Sequence, residues 1–252
     1  MLPYKDDNPQ LLKPYATYII IALNALAWLL VQGAGANDAV NATVCIYGAI
    51  PTEVLGSVVE NPICQHNVGK IALLTSMFLH GSWMHILGNM LFLWVFGGNV
   101  EDAMGSLRFV VFYLLSGLIA ALAQVMWSVG SAIPMVGASG AIGGVMGAYL
   151  LFYPKVKVHI FTFFIIMFPI RVPAYLMLGY WFLIQFINGL GASTMTGGTA
   201  FWAHAGGFIA GLVFGYLMKD EELLTGHEFY GWNQRVAPSS VWDDPENRHH
   251  NE

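Results

Sequence analysis

A chain of 252 residues that is 56% hydrophobic and only 10% charged, with a mean hydropathy of +0.59, lies far from a soluble domain, where charged residues make up about a quarter. It reads as an integral membrane protein. Its net charge of -5 comes without any basic block, which sets nucleic acid aside as a partner.

Crossing about 30 Å of hydrocarbon takes roughly 20 apolar residues, somewhat fewer where the ends dip into the interface. Six segments qualify, at about residues 15–32, 83–96 with an apolar lead-in at 71–79, 107–129, 139–153, 173–190 and 201–218. The expected fold is therefore an all-α membrane protein, a six-transmembrane-helix bundle. Residues 1–14 carry Asp6 and Asp7 and no small-residue cleavage site, so residue 15 onward reads as a retained helix and not a signal peptide. The stretch 155–171 is apolar but contains His159, Pro169 and Arg171, and is expected to lie at the interface.

Orientation follows from the basic residues. With a cytoplasmic N-terminus, Lys5, Lys13, Arg108, Lys155, Lys157, Arg171, Lys219, Arg235 and Arg248 all fall inside and only Lys70 outside, as the positive-inside rule asks. Both termini are then cytoplasmic. The loop 33–70 is external, residues 15–218 form the membrane domain, and 219–252 form a polar cytoplasmic tail. Cys45 and Cys64 share the external loop; a disulfide and two free thiols are both open. No Cys/His spacing suits zinc, and no metal or cofactor is expected.

Polar groups inside a bilayer are costly and need a reason. All fifteen carboxylates lie in termini or loops, nearest the spans at Glu101, Asp102 and Asp220, which argues against a proton relay, an aspartyl protease or an Asp completing a serine triad. Other polar residues do enter. His85 and Asn89 sit four apart, on one helix face; His80 precedes them in the turn before the helix; Ser139 opens the fourth segment, and His204 lies near the start of the sixth. For any one of these alone, a packing hydrogen bond is the commoner explanation. Jointly they share a level, because the second, fourth and sixth helices all start from the external face.

The fourth helix is also short, about 21 Å at 1.5 Å per residue, so Ser139 should sit roughly 10 Å below the external surface. Residues 130–138 must then descend as irregular backbone, tolerated only within protein or beside water. Small-residue ridges at Gly140/Gly144, Gly143/Gly147 and Gly207/Gly211/Gly215 let the fourth and sixth helices touch. That contact would bring Ser139 to His204, the minimum nucleophile and base. The Ser139 N–H at a helix N-terminus, Asn89 and His85 could face a developing oxyanion. With no acid to orient it, His204 is expected to be held by packing around Ala203, Ala205 and Gly206, making a slow dyad.

These residues form His80-x4-His85-x3-Asn89 followed by Met90-Leu91-Phe92-Leu93, then Glu101-Asp102 with Gly105 and Arg108-Phe109, then Gly137-x-Ser139-Gly140, then Ala203-His204-x-x-Gly207 with Gly211. In this order, over about residues 75–218, the chain resembles a rhomboid intramembrane serine protease. The resemblance implies Ser139 as nucleophile, His204 as general base and acid, and His85, Asn89 and backbone N–H groups as the oxyanion site. It makes His80 structural and Glu101 with Arg108 a lock on the cytoplasmic side, and it implies that Gly137 and Gly140 keep the backbone at Ser139 uncrowded. The implied partners are transmembrane protein substrates, cut within or beside a membrane helix after a small residue, and the lipid bilayer; the expected location is a bacterial inner membrane. Trp181 and Phe182 could line lateral substrate entry or pack in the core.

Two departures stand out. The first external loop has neither Trp nor Arg, and Gly143 stands where some relatives carry an aromatic that stacks on the histidine. A non-catalytic rhomboid-like client-binding protein is the alternative function; loss of the serine or histidine would mark it, and both are present. A transporter would show intramembrane charges or helices broken at mid-depth.

Overall fold

The computed structural model describes residues 2–56, 64, 66–163, 167–192, 198–225 and 227–232. In chain order these form β1 (Leu2–Asp6), α1 (Tyr15–Leu26), α2 (Asn37–Tyr47), α3 (Pro51–Val54), α4 (Ala72–Thr75), α5 (Trp83–Asp102), α6 (Ser106–Trp127), α7 (Ser139–Phe152), β2 (Lys157–Phe163), β3 (Met167–Pro173), α8 (Ala174–Gly191), α9 (Phe201–Met218) and α10 (Glu221–Thr225). Helix dominates. Helices α6, α8 and α9 are long and apolar enough to cross a membrane. A fourth candidate span joins Gly69–Phe78 to α5 through a 76° bend, and Tyr15–Val31 and α7 are shorter apolar helices.

Local chemistry sets the helix ends that matter here. Ser82 is extended, and its side chain accepts the His85 N–H at 3.2 Å, an N-cap that starts α5 just before the histidine. Helix α7 ends at Phe152, because Tyr153 is held out of helical geometry ahead of Pro154. At fourteen residues it is one residue shorter than the sequence pattern suggests.

Nearly every residue of α7 is buried, so it forms the centre of the bundle. Helix α9 makes its most extensive packing there. A Cβ at Gly207 or Gly211 would collide with the carbonyl oxygens of Gly140 and Gly144, so only glycine lets the two backbones approach this closely.

The stretch expected at the interface is a β-hairpin. Strands β2 and β3 pair antiparallel from Lys157↔Pro173 to Phe163↔Met167, and β1 adds antiparallel to the other edge of β2, from Leu2↔Phe161 to Asp6↔Val158. The β-branched and aromatic residues of 157–163 favour the central strand. Pro3 and Pro169, which cannot donate to a ladder, both lie on edge strands. The N-terminal segment is thus part of the fold and not a detached arm.

At the end of α5 far from its histidines, two buried carboxylates tie down the chain before α1. Glu101 accepts the N–H groups of Ala16 and Thr17 at 3.0 and 2.8 Å and the hydroxyls of Thr17 and Ser106, an anion at a helix N-terminus. Asp102 accepts from Leu11 and Leu12 at 2.7 and 2.9 Å. The expected lock of Glu101 with Arg108 takes a different form. Glu101 is turned inward to α1, whereas the half-exposed Arg108 bonds Asp220 at 2.9 Å and ties α6 to the start of α10.

The loop between α1 and α5 is built as well. Cys45 and Cys64 form a disulfide, deciding the alternative left open by spacing. Ala49 pairs with Met135 across the loops.

Candidate active site

The descent from α6 to α7 is irregular backbone, but several of its polar groups have partners. Met135 exchanges hydrogen bonds with Ala49 at 2.9 Å each way, and the Gly137 N–H donates to the Ser76 carbonyl at 2.9 Å. Gly137 has a φ of +132°, a conformation that L side chains rarely adopt. A Cβ there would also lie 2.8 Å from His85 Nε2 and 3.5 Å from Ser139 Oγ. The bare backbone at residue 137 therefore lets the His85 ring approach the serine.

Ser139 is the first residue of α7, so its amide belongs to the helix-start N–H groups that lack an intrahelical partner. Its Oγ lies 2.8 Å from His204 Nε2. On the other side of the ring, His204 Nδ1 is 2.8 Å from Gln185 Oε1. A carbonyl oxygen only accepts, so Nδ1 carries the proton and Nε2 is left as the acceptor facing the serine hydroxyl. Trp181, one turn before Gln185 on α8, packs a tilted ring 5.6 Å from the His204 ring.

The aromatic missing at residue 143 thus arrives from another helix. A Cβ at Gly143 would be 3.0 Å from the His204 carbonyl oxygen, so a large side chain at that position has no space. Of the two aromatics noted on α8, Trp181 faces His204 and lines the site cavity, whereas Phe182 packs on Phe208 at 4.9 Å.

Across the site, His85 and Asn89 project from α5. The Gly81 N–H approaches His85 Nδ1 at 3.4 Å, which leaves Nε2 as the hydrogen-bearing nitrogen toward Gly137 and Ser139. Asn89 Nδ2 lies 2.9 Å from Nε2 of the fully buried His80; an amide carries two N–H donors, and the second remains for the cavity. His80 is itself held by Gln32, which accepts the His80 N–H at 2.8 Å and donates to its carbonyl at 2.7 Å. Together His85, Asn89, Ser139, Ile142, Met146, Trp181 and His204 line a cavity of about 230 Å³. A second cavity, of about 30 Å³, lies on the other side of Ser139 between Met77, Gly117, Ala120 and Gly140.

The site predicted from sequence is therefore assembled: Ser139, His204, His85 and Asn89 surround one cavity, with His80 behind Asn89 and Gly137 and Gly140 beside the serine. Missed were three glutamines. Gln185 bonds His204, Gln32 holds the His80 backbone, and Gln124 of α6 accepts the N–H groups of Trp202 and Ala203 at 3.2 and 3.3 Å, capping the helix that bears the histidine. Gln124 and Gln185 both interrupt long apolar helices, where a neutral amide is costly unless bonded; that cost was the available signal.

The arrangement offers a serine hydroxyl with a proton acceptor on one side and N–H donors on the other. These are the elements of acyl transfer.

Comparison with known proteins agrees in kind. The Rhomboid domain model matches residues 69–221. Over 157 residues the chain is 29% identical to Rhomboid protein 1, mitochondrial, of Saccharomyces cerevisiae, covering 60% of this chain and 42% of the relative. It is 36% identical over 141 residues to Rhomboid protease GluP of Bacillus subtilis, covering 55% and 24%. With RHOMBOID-like protein 4 of Arabidopsis thaliana it shares 33% over 176 residues, covering 67% and 38%. The chain thus spans less than half the length of each of these relatives, which come from a mitochondrion, a bacterium and a plant. With a matched domain over more than half its length and apolar helices throughout, this chain is an integral membrane protein of the rhomboid family.

Proposed function

We propose that the protein is an intramembrane serine endopeptidase that cleaves transmembrane or juxtamembrane segments of other membrane proteins. The observation carrying this reading is the 2.8 Å contact between Ser139 Oγ and His204 Nε2, with Gln185 fixing the tautomer from behind. Ser139 Oγ attacks the scissile carbonyl carbon as His204 Nε2 takes the hydroxyl proton. The oxyanion is met by the Ser139 N–H, His85 Nε2–H and the free Asn89 N–H. His204 then returns the proton to the leaving amine, and water hydrolyses the acyl ester by the same route. Gln185 orients the ring but, being neutral, does not balance the charge of an imidazolium, so turnover is slow compared with an Asp-bearing triad.

The small cavity beside Ser139 supports a preference for a small residue before the cut, since its volume of about 30 Å³ has room for little more than one water. The basic-residue bias supports six crossings with both termini cytoplasmic, and the broken α4–α5 segment, α1 and α7 are the crossings that length alone does not identify. The bacterial inner membrane expected from the sequence is not supported by the relatives, which are mitochondrial and plant as well as bacterial. The test is reconstitution with a single-span model substrate. Cleavage is expected to vanish in Ser139→Ala and His204→Ala; undiminished cleavage by Ser139→Ala would overturn the mechanism, and binding of the substrate without cleavage by wild type would favour the client-binding role.

A further inference from the structure

Away from the catalytic cavity, a separate polar cavity of about 170 Å³ opens where β1 and the start of α1 meet the far half of α5, lined by Lys5, Asp6, Asn8, Tyr18, Trp94 and Asn99 among others. Its polar groups are under-used. Asn8 is 7% exposed, yet neither its Oδ1 nor its Nδ2 has a partner among the described residues; Asn99 is 3% exposed and its Oδ1 is likewise unpartnered, although its Nδ2 donates to Asp6 at 2.8 Å. Buried amides without partners are costly, and the space far exceeds that of one ordered water.

The surroundings narrow the occupant. Tyr18 of α1 and Trp94 of α5 stack at the cavity rim with centroids 5.5 Å apart, and both are substantially exposed, at 44% and 59%. Aromatic pairs with one apolar and one wet side mark the level where lipid headgroups meet acyl chains. Lys5 supplies a cation at the same mouth, and Asp6 a carboxylate deeper in. An amphiphile with a charged head and apolar tails fits this gradient from polar interior to aromatic rim; a soluble metabolite would leave Tyr18 and Trp94 without a role.

We propose that this cavity holds the headgroup of a membrane phospholipid, with its phosphate at Lys5 and the Asn8 amide and its acyl chains leaving past Tyr18 and Trp94. Such a lipid would join the N-terminal strand to α1 and α5 by a non-covalent clasp. The assignment is independent of the chemistry at Ser139.

Full-length protein, delipidated in detergent, would be titrated with phosphatidylethanolamine and with phosphatidylglycerol, and retention read by native mass spectrometry. One retained phospholipid is expected. Lys5→Ala, which removes a charge-assisted contact to the phosphate, and Trp94→Ala, which removes an apolar contact to the chains, are both changes at exposed positions and should each weaken retention about tenfold, and Asn8→Leu should weaken it comparably. Lys70→Ala, remote in sequence and fold, should not. Inorganic phosphate should bind far more weakly than either lipid. Equal retention by wild type and Lys5→Ala, binding of phosphate alone as tight as lipid, or no retained lipid at all would each overturn the assignment.

Discussion

The Gln185 side-chain oxygen lies 2.8 Å from His204 Nδ1, on the opposite edge of the ring from Ser139. This places on α8, the least buried of the three long apolar helices, the group that decides which imidazole nitrogen faces Ser139. A neutral hydrogen bond contributes about 1 kcal/mol, somewhat more when buried, so its removal should be felt without being fatal. Gln185→Leu is expected to lower kcat on a reconstituted single-span substrate about tenfold with KM little changed. An unchanged kcat would mean that packing against Trp181 suffices to orient the ring.

Asn89 and His80 form a relay in which only the first faces the cavity. Asn89→Ala should lower kcat on the order of 10²-fold, the usual cost of one oxyanion donor. His80→Phe, which acts only by freeing the Asn89 amide to turn, should cost less, roughly tenfold. Kinetics of the two single variants and the double variant check this: the double should be no worse than Asn89→Ala, since the residues act through one group. Additive losses would separate them.

Close approach of α7 and α9 requires glycine at the crossing. Gly211→Val drives its side chain into the Gly144 backbone and should destabilise the fold by about 1–3 kcal/mol or more, visible as a lowered Tm in detergent, with proteolysis lost as Ser139 and His204 separate. Gly179→Ala on α8, where a Cβ meets nothing within 4 Å, serves as the contrast and should leave both stability and activity near wild type.

Asp6 gives the fold a pH dependence of stated sign. Burial pushes its carboxyl up from an ordinary 3.8 to about 6, against the hydrogen bonds from Tyr149 and Asn99, which pull it down. Between these values the folded chain holds a proton that the unfolded chain has lost. The stability it contributes is therefore full below about pH 4 and declines as pH rises through 6. Compared by thermal unfolding across pH 4–7, wild type should lose stability relative to Asp6→Asn as pH rises. A difference between the two proteins that does not change with pH over that interval would contradict a carboxyl raised by burial at Asp6.

Much of the site could be read from the sequence because its members are polar residues that an apolar span rarely tolerates. His85, Asn89, Ser139 and His204 stood out against their helices, and the glycine spacing predicted which two helices would touch. The short α7 was legible from Pro154 alone. The three glutamines were not singled out, since uncharged amides drew less attention than histidines and carboxylates, although the same cost of burial applies to them. The strands in residues 157–173 were not read from the sequence for a different reason. Apolar β-branched runs of that length are equally consistent with an interfacial segment, and pairing with Leu2–Asp6 depends on a partner more than 150 residues away. The partners of Glu101 and Arg108 likewise depend on α1 and α10, which only tertiary packing brings to them.

The most direct test of the central claim is labelling with a fluorophosphonate, in which a serine oxygen displaces fluoride from phosphorus while a neighbouring base takes the proton. Peptide mass spectrometry of the membrane-embedded protein should find one modified residue, Ser139, with labelling lost in Ser139→Ala and in His204→Ala. Modification at another serine, or equal labelling of Ser139 in His204→Ala, would contradict a nucleophile activated by His204.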